Sequence, residues 1–273
     1  MIIVALILLG LAWGSFINAY VWRLYKQSKS KKTNKYSIVK GRSQCVHCSH
    51  QLATKDLIPV ISWLSLGGKC RYCHRSISWQ YPAVELGTSL LFVVSYIYWP
   101  QDFQGATLEI ALFGLWLMAL VGLIALTVYD IRWMILPNKI LTPIFALGAT
   151  GVVLTFASLG EIQVITDALA AMLVGGGLFY AIFQLSNGRW IGGGDVKLGF
   201  VLGLLLGSPD QALLMLFLAS LLGSLTVMPL LLLKKVTPKT RIPFGPFLIA
   251  GAIIAKFFGA DITDWYLQSF IIV

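Results

Sequence analysis

Charged residues are scarce in this chain. They make up 12% of its 273 residues, whereas 58% are hydrophobic and the mean hydropathy is +0.81. An ordinary soluble domain is about 25% charged, so the composition argues strongly against a soluble globular protein. Only 11 residues are acidic, cysteine occurs four times and histidine three times. Each carboxylate and each thiol therefore stands out as a candidate for chemistry.

Long apolar runs indicate helices that cross a membrane, because about 20 apolar residues span its hydrocarbon core. The sequence predicts an all-α polytopic membrane protein with about eight transmembrane helices. The predicted spans are residues 1–22, 83–99, 108–128, 140–158, 164–186, 198–207 with its flanks, 211–233, and 246–258 with the tail that follows. The sixth is short and glycine-rich, and the eighth is interrupted by Lys256 and Asp261.

Lys and Arg are distributed unevenly between the gaps that separate these spans. Twelve of the 21 lie in the first gap, from Arg23 to Arg75, and all but one of the others lie in the third, fifth and seventh gaps. Cytoplasmic loops of membrane proteins carry an excess of Lys and Arg. The pattern predicts that both termini lie outside and that the basic loops face the cytoplasm. The net charge of +10 then reflects topology in a lipid bilayer, and nucleic acid is not predicted as a partner.

The only sizeable segment outside these spans is 23–82. Its first part, 26–43, is rich in Lys, Ser and Asn and has little capacity to bury a core. Its second part holds all four cysteines. We therefore divide the chain into a first transmembrane helix at 1–22, a cytoplasmic basic and zinc-binding loop at 23–82, and a transmembrane core at 83–273.

The four cysteines form two CxxC pairs, Cys45 with Cys48 and Cys70 with Cys73, separated by 21 residues. A CxxC turn can direct two thiolates at one tetrahedral metal, and two such turns complete a four-cysteine zinc site. The cytoplasm is reducing, which disfavours a disulfide. The spacing therefore predicts structural zinc, ahead of a redox dithiol or two unrelated thiol pairs. The three histidines lie in the same loop, but four cysteines already suffice.

Asp130 and Asp195 lie at the ends of long apolar segments, and the predicted topology puts both on the cytoplasmic side. A carboxylate in or beside a membrane span is costly and is kept for function more often than for structure. Two that meet can share one proton and activate a water, as in aspartic proteases. Gly192 and Gly194 precede Asp195 and let backbone or substrate approach it closely. We predict a catalytic pair; the alternative is that each aspartate caps a helix end.

Two further residues are predicted to support this site. Glu85, near the cytoplasmic start of the second span, either binds substrate or caps its helix. Lys197, two residues after Asp195, either holds a carboxylate or a substrate backbone, or anchors the end of its span at the interface.

With these features the chain resembles the prepilin peptidases, the type IV leader peptidase family of membrane aspartic proteases of the GxGD type. The resemblance covers nearly the whole chain. It is carried, in order, by Gly14-Ser15-Phe16-Ile17-Asn18, the segment from Arg42 to Glu85, Asp130 with Leu136-Pro137, Gly192 to Leu198, and Pro243-Phe244-Gly245-Pro246. Val46 stands where proline is usual inside the first CxxC, and Asn138 where aspartate often follows Leu-Pro. Neither departure removes a catalytic carboxylate or a thiolate.

The resemblance implies an endopeptidase of the bacterial inner membrane that cuts the short basic leader of prepilins or pseudopilins after a glycine. Asp130 and Asp195 take the positions of the family's catalytic pair. Many members also methylate the new N-terminus with S-adenosylmethionine, and the cysteine loop is associated with that role. The sequence has no Rossmann-type glycine fingerprint, so methylation rests on the resemblance alone. No oligomeric state is indicated.

Two other functions fit part of the pattern. An ion-coupled transporter also uses membrane carboxylates, but it places them near the bilayer midplane within paired broken helices. A presenilin-like intramembrane protease shares the Tyr-Asp and Gly-x-Gly-Asp contexts. The cysteine loop and the late Pro-Phe-Gly-Pro favour prepilin processing over both.

Overall fold

The computed structural model describes residues 1–29, 42–100, 107–235, 237 and 240–270. Most of the basic stretch 26–43 lies outside these residues. The chain divides into two compact units, Met1–Ile97 and Tyr98–Val273. The sequence-based division starts the transmembrane core at residue 83, whereas here the helix that begins at Gln80 groups with the first unit because it packs along the first helix.

The first unit pairs two long helices, α1 (Ile2–Lys29) and α3 (Gln80–Ile97), with the short α2 (Ile61–Ser65) in the cysteine loop between them. Glycine lets the long helices touch backbone to backbone: a Cβ on Gly10 would lie 2.5 Å from the Cα of Ser89, and one on Gly14 would lie 2.5 Å from that of Glu85. Since the residue number rises along one helix as it falls along the other, α1 and α3 are antiparallel. Small residues at such a crossing are typical of membrane helices, which gain their packing energy from close contact.

The second unit is built of long apolar helices. They are α4 (Thr107–Trp133), α5 (Asn138–Leu159), α6 (Ile162–Met172), α7 (Leu178–Leu185), α8 (Gly193–Leu206), α9 (Pro209–Leu232) and α10 (Gly245–Phe270). A π-helical turn, Leu173–Gly177, joins α6 to α7 without a break. Gly160 and Gly207, both left-handed, end α5 and α8. These C-caps satisfy carbonyls that the helix leaves without partners.

Six helices are long and apolar enough to cross a membrane within the part of the chain that the structure describes: Ile2–Lys29, Thr107–Trp133, Asn138–Leu159, Ile162–Leu185, Pro209–Leu232 and Gly245–Ser269. The prediction of a helical membrane protein is confirmed at this level. The other two predicted spans correspond to α3 and α8. At 14 residues α8 is about 21 Å long, shorter than a bilayer core of about 30 Å, and α3 carries several polar residues, including Glu85.

The last predicted span is not interrupted, because α10 runs through both Lys256 and Asp261. The ammonium group of Lys256 lies 5.8 Å from the ring centroid of Trp99, and it also interacts electrostatically with Glu109. A cation within a span is tolerated when it faces a carboxylate and an aromatic ring.

The position of α8 is set by a close crossing with the π-helical turn. A Cβ on Gly199 would collide with the carbonyl oxygen of Gly175, and one on Gly203 would collide with that of Ala171. Only glycine permits this approach. The crossing fixes α8, which carries Asp195 in its first turn, against the helices that pack on it.

Candidate active site and metal centre

Asp130 lies in the last turn of α4 and is 5% exposed. The helix ends just beyond it, where Met134 adopts a left-handed conformation with φ 52°. The backbone N–H of Gly245, the first residue of α10, donates a hydrogen bond of 3.1 Å to Oδ2 of Asp130. A buried carboxylate needs such a donor, because leaving its oxygen without a partner costs more than one ordinary hydrogen bond contributes.

Asp195 lies in the first turn of α8, whose N-cap is Gly192. The backbone of Gly192 hydrogen-bonds the Asp195 carboxylate, so the side chain reaches back across the first turn. The positive end of the helix dipole stabilises a carboxylate at this place. A Cβ on Gly192 would lie 3.3 Å from Oδ2 of Asp195, so glycine keeps the space beside the carboxylate open.

The structure brings the two aspartates together, although 65 positions separate them in the sequence. The two carboxyl groups are close enough for their charges to interact. Leu136, in the turn between α4 and α5, packs against glycines that neighbour both aspartates. Its side chain would be 3.2 Å from a Cβ on Gly194 and 3.6 Å from one on Gly245. The tight packing at Gly194 therefore brings the first turn of α8 to the start of α10.

Within the part of the chain that the structure describes, Lys197 forms no ion pair with a carboxylate. Its Nζ donates a hydrogen bond of 3.1 Å to Oδ1 of Asn138, the first residue of α5. The bond joins α8 to the turn that carries Leu136. Lys197 is exposed, so the contribution of this single bond to stability is small.

Glu85 belongs to the first unit and is 6% exposed. Its Oε2 accepts a hydrogen bond of 2.7 Å from the backbone N–H of Val60, and the hydroxyl of Ser15 also hydrogen-bonds it. Glu85 therefore fixes the start of α2 rather than capping its own helix.

The four cysteines come together in two matching turns. In each, the first cysteine accepts a hydrogen bond from the N–H four residues later and donates its own N–H to the carbonyl five residues later. The residues at the ends of the two turns, Ser49 and His74, have nearly equal left-handed φ angles of 58° and 57°. Short antiparallel bridges, Gln44 with Gln51 and Lys69 with Ser76, close the two turns.

The four Sγ atoms lie within 4.8 Å of one another, and those of Cys45 and Cys73 are 3.9 Å apart. Burial acts to raise the pKa of Cys45, but hydrogen bonds from the N–H groups of Cys48 and His47 and from neighbouring thiols lower it to about 7. At Cys73 the N–H of Arg75 acts to lower the pKa, while burial and the other three thiols raise it to about 11. The thiol of Cys45 therefore ionises more readily than that of Cys73. The four sulfur atoms are positioned to hold a metal cation, whose charge would offset that of the thiolates.

Asp56 braces the second cysteine turn. Its carboxylate pairs with Nε of Arg71 at 2.8 Å and accepts hydrogen bonds from the hydroxyl of Tyr72 and the N–H of Ala53. Burial acts to raise the pKa of Asp56, and these donors outweigh it, so the pKa is lowered.

The Pro-Phe-Gly-Pro motif that contains Gly245 predicts no role for this glycine. Gly245 lies 115 positions from Asp130, and its contribution is a backbone N–H. The available signal was a glycine motif at the start of a predicted helix. The first N–H groups of a helix lack partners within that helix and can donate to a carboxylate.

Two family definitions match the chain. Bacterial Peptidase A24 N-terminal domain covers residues 8–99, which include the four cysteines and Glu85. Type IV leader peptidase family covers residues 117–228, which include Asp130 and Asp195.

Several relatives carry the name Prepilin leader peptidase/N-methyltransferase, among them proteins from Aeromonas hydrophila, Pseudomonas aeruginosa and Bacillus subtilis. The protein from Aeromonas hydrophila is 38% identical over 238 residues, which are 86% of this chain and 78% of the relative. The one from Pseudomonas aeruginosa is 32% identical over 281 residues, 96% of this chain and 92% of the relative. The one from Bacillus subtilis is 33% identical over 235 residues, which are 85% of this chain and 88% of the relative. No solved structure matches the chain. At this identity and coverage, and as its motifs indicated, the chain belongs to the type IV leader peptidase family.

Proposed function

We propose that this protein is a membrane aspartic endopeptidase that removes the short basic leader from prepilins or pseudopilins, with Asp130 and Asp195 as its catalytic pair. The observation that carries the proposal is the packing that the two aspartates share at the ends of two apolar helices: Leu136 packs on Gly194, next to Asp195, and on Gly245, whose N–H donates to Asp130. The names of relatives that span most of the chain support the choice of substrate.

In the proposed reaction the two carboxylates share one proton and hold one water between them. The ionised carboxylate takes a proton from that water, and the protonated one donates a hydrogen bond to the scissile carbonyl oxygen. The water oxygen then bonds to the carbonyl carbon. The C–N bond breaks as a proton passes to the departing amine. The N–H of Gly245 keeps Asp130 oriented throughout, because it is backbone and cannot rotate away.

The membrane layout follows from the same proposal. Eight spans, with α3 and α8 as the two shorter ones, place the helix ends that carry Asp130 and Asp195 on the side of the basic loops. The excess of Lys and Arg supports a cytoplasmic location for that side, with both termini outside, in the bacterial inner membrane. On that side, the basic leader of a substrate would meet the acidic side chains of Asp130 and Asp195. The division into 1–22, 23–82 and 83–273 describes this layout rather than folding units.

An ion-coupled transporter is less well supported. Asp130 lies in the last turn of α4 and Asp195 in the first turn of α8, so both acids are at helix ends instead of at mid-helix. A presenilin-like intramembrane protease would use a similar pair, but it accounts for neither the four-cysteine group nor the family relationship.

We assign zinc to the four-cysteine group, with Cys45, Cys48, Cys70 and Cys73 as its ligands. A tetrahedral zinc with bonds of about 2.3 Å needs sulfurs about 3.8 Å apart. The separation of 3.9 Å between two of them matches that geometry. The ion would serve as a structural staple, because the loop has too few apolar residues to fold unaided.

Serine in place of Cys48 or Cys70 is expected to remove the metal. A serine hydroxyl does not ionise as a thiol does, so zinc retained after dialysis against a chelator should fall from about one equivalent to about a tenth or less. Elemental analysis of the purified protein measures it, and the loop should become more sensitive to protease. His47→Ala is the matched control and should keep the metal. Wild-type protein purified without metal would contradict the assignment.

We further propose that the protein methylates the new N-terminus with S-adenosylmethionine, as the names of its relatives indicate for them. Membranes containing the protein should convert a synthetic prepilin into leader and mature product. With S-adenosylmethionine, mass spectrometry should show the mature product heavier by one methyl group. Membranes with Asp130→Asn are the blank. Absence of cleavage contradicts the peptidase; cleavage without the methyl group contradicts only the methylation.

A further inference from the structure

The cysteine loop contains an apolar segment that its metal site does not explain. From Leu57 to Gly68 there is no charged residue, whereas Asp56 and Lys69 flank the segment on either side. A stretch of this length is too short to span a membrane and is typical of re-entrant or interfacial segments. Its central part is α2, and Ile61 and Leu64, on one face of that helix, are 64% and 63% exposed.

A hydrogen bond fixes the depth of this segment along the neighbouring helices. The N–H of Val60, just before α2, donates to Glu85 in α3 at 2.7 Å, and Glu85 packs directly on Gly14 of α1. The first basic residue of α1 is Arg23, nine positions further along. At a rise of 1.5 Å per residue, Gly14 lies about 13 Å beyond Arg23 in the direction of the apolar end of α1, and Val60 lies within the length of the Glu85 side chain of that level.

The surroundings of Trp79 agree with that depth. Trp79 is 71% exposed and immediately precedes α3, whose first residue, Gln80, hydrogen-bonds Asn18 of α1. Tryptophan is enriched at the boundary between lipid and water. Trp63 of α2 packs against Trp79 with ring centroids 4.3 Å apart and the ring planes inclined at 52°. The inner face of α2 is therefore packed against the protein at a membrane boundary, and the face with Ile61 and Leu64 is left exposed.

The chain enters and leaves this segment on the same side. After α2, Gly67 and Gly68 both adopt left-handed conformations and reverse the chain toward Cys70. The backbone at the entrance is costly, because Val60 is β-branched and has a φ of 61°. Such a conformation persists only where its surroundings over-determine it, and the Glu85 carboxylate supplies that constraint.

We propose that Leu57–Gly68 is a re-entrant segment that inserts into the leaflet carrying the basic loops, with Ile61 and Leu64 against lipid acyl chains and Glu85 as the positioning residue that holds it there. Leu86 and Leu90, on the helix that carries Glu85, are also exposed. A loop buried among acyl chains must satisfy its backbone groups internally, and Glu85 does this for the N–H of Val60. The proposal does not depend on the reaction that the protein catalyses.

Photo-crosslinking of the full-length protein in phospholipid vesicles tests the proposal. p-Benzoylphenylalanine is introduced singly in place of Leu64, of Leu90 on α3 as a reference of equal exposure, or of the exposed Lys55 outside the apolar segment. After irradiation, mass spectrometry of the intact protein measures phospholipid adducts. The probe at Leu64 is expected to give a yield comparable to that at Leu90, and about tenfold above that at Lys55.

The Glu85 part of the proposal is tested with the probe at Leu64. Glu85→Ala removes the acceptor for Val60 and should lower the lipid adduct to the level found at Lys55, whereas Glu85→Gln keeps an acceptor oxygen and should preserve it. Equal yields in the Ala and Gln variants would overturn the positioning role. Adducts from Leu64 to the protein's own chain or to a pilin, or a yield as low as that at Lys55, would overturn the insertion.

Discussion

Asparagine in place of Asp130 or of Asp195, one at a time, should lower the rate of leader removal by roughly 10²- to 10⁴-fold, because neither variant can pass a proton between water and substrate. Asparagine keeps the size of the side chain and an acceptor oxygen for the N–H of Gly245. Membrane insertion and protein yield should therefore be unchanged. The measurement is the initial rate of cleavage of a synthetic prepilin by purified protein.

A matched control is Asp264→Asn, which removes an exposed carboxylate from α10 and should leave the rate unchanged. Loss of activity in one of the two site variants but not in the other would refute a shared catalytic pair. A rate near that of the wild type in either variant would do the same.

Alanine in place of Gly245 is expected to lower the rate by about 10²-fold, because a misplacement of about 1 Å in a reacting group has that effect. The added Cβ would lie 2.7 Å from Oδ2 of Asp130, closer than the two atoms can approach. The N–H of residue 245 is retained, and Gly245 does not have a positive φ, so the change acts through steric displacement of the carboxylate.

Gly223→Ala is the control for this prediction. It lies in α9, and its Cβ would make an ordinary contact of 3.7 Å with Phe244, the residue before Gly245. The rate of the control should stay within about twofold of the wild type, since the added methyl group fits at an ordinary contact distance. If Gly245→Ala cleaves as fast as Gly223→Ala, the carboxylate of Asp130 does not depend on the packing at Gly245.

Much of the candidate site was predictable because its chemistry is rare in this composition. Asp130 and Asp195 were conspicuous as acids beside apolar runs, and the two CxxC pairs determine their own local turns through bonds that span five residues. The partners of Glu85 and Lys197 were not predictable. Each depends on how separate segments pack: Glu85 of α3 accepts from Val60, 25 positions before it, and Lys197 of α8 donates to Asn138 at the start of α5.

The helix boundaries also divide into features that the local sequence predicts and features that depend on packing between distant segments. Apolar runs predicted where long helices occur, since the cost of placing charge in lipid limits where a span can begin and end. They did not predict that α10 would continue through Lys256, because that requires Trp99 and Glu109 from elsewhere in the chain. They also did not distinguish 57–68 from the rest of the basic loop, since its depth depends on a hydrogen bond to α3.

The amino-acid sequence by itself determined the class of protein, the two cysteine turns and the two acids, because composition, short-range spacing and rarity are properties of the chain alone. Only the tertiary structure decided that the N–H of Gly245 reaches Asp130, that Asp130 and Asp195 are close enough for their charges to interact and that Glu85 holds the start of α2. The physical reason is that these contacts join distant segments through backbone groups and close packing at glycine, and neither leaves a local pattern in the sequence.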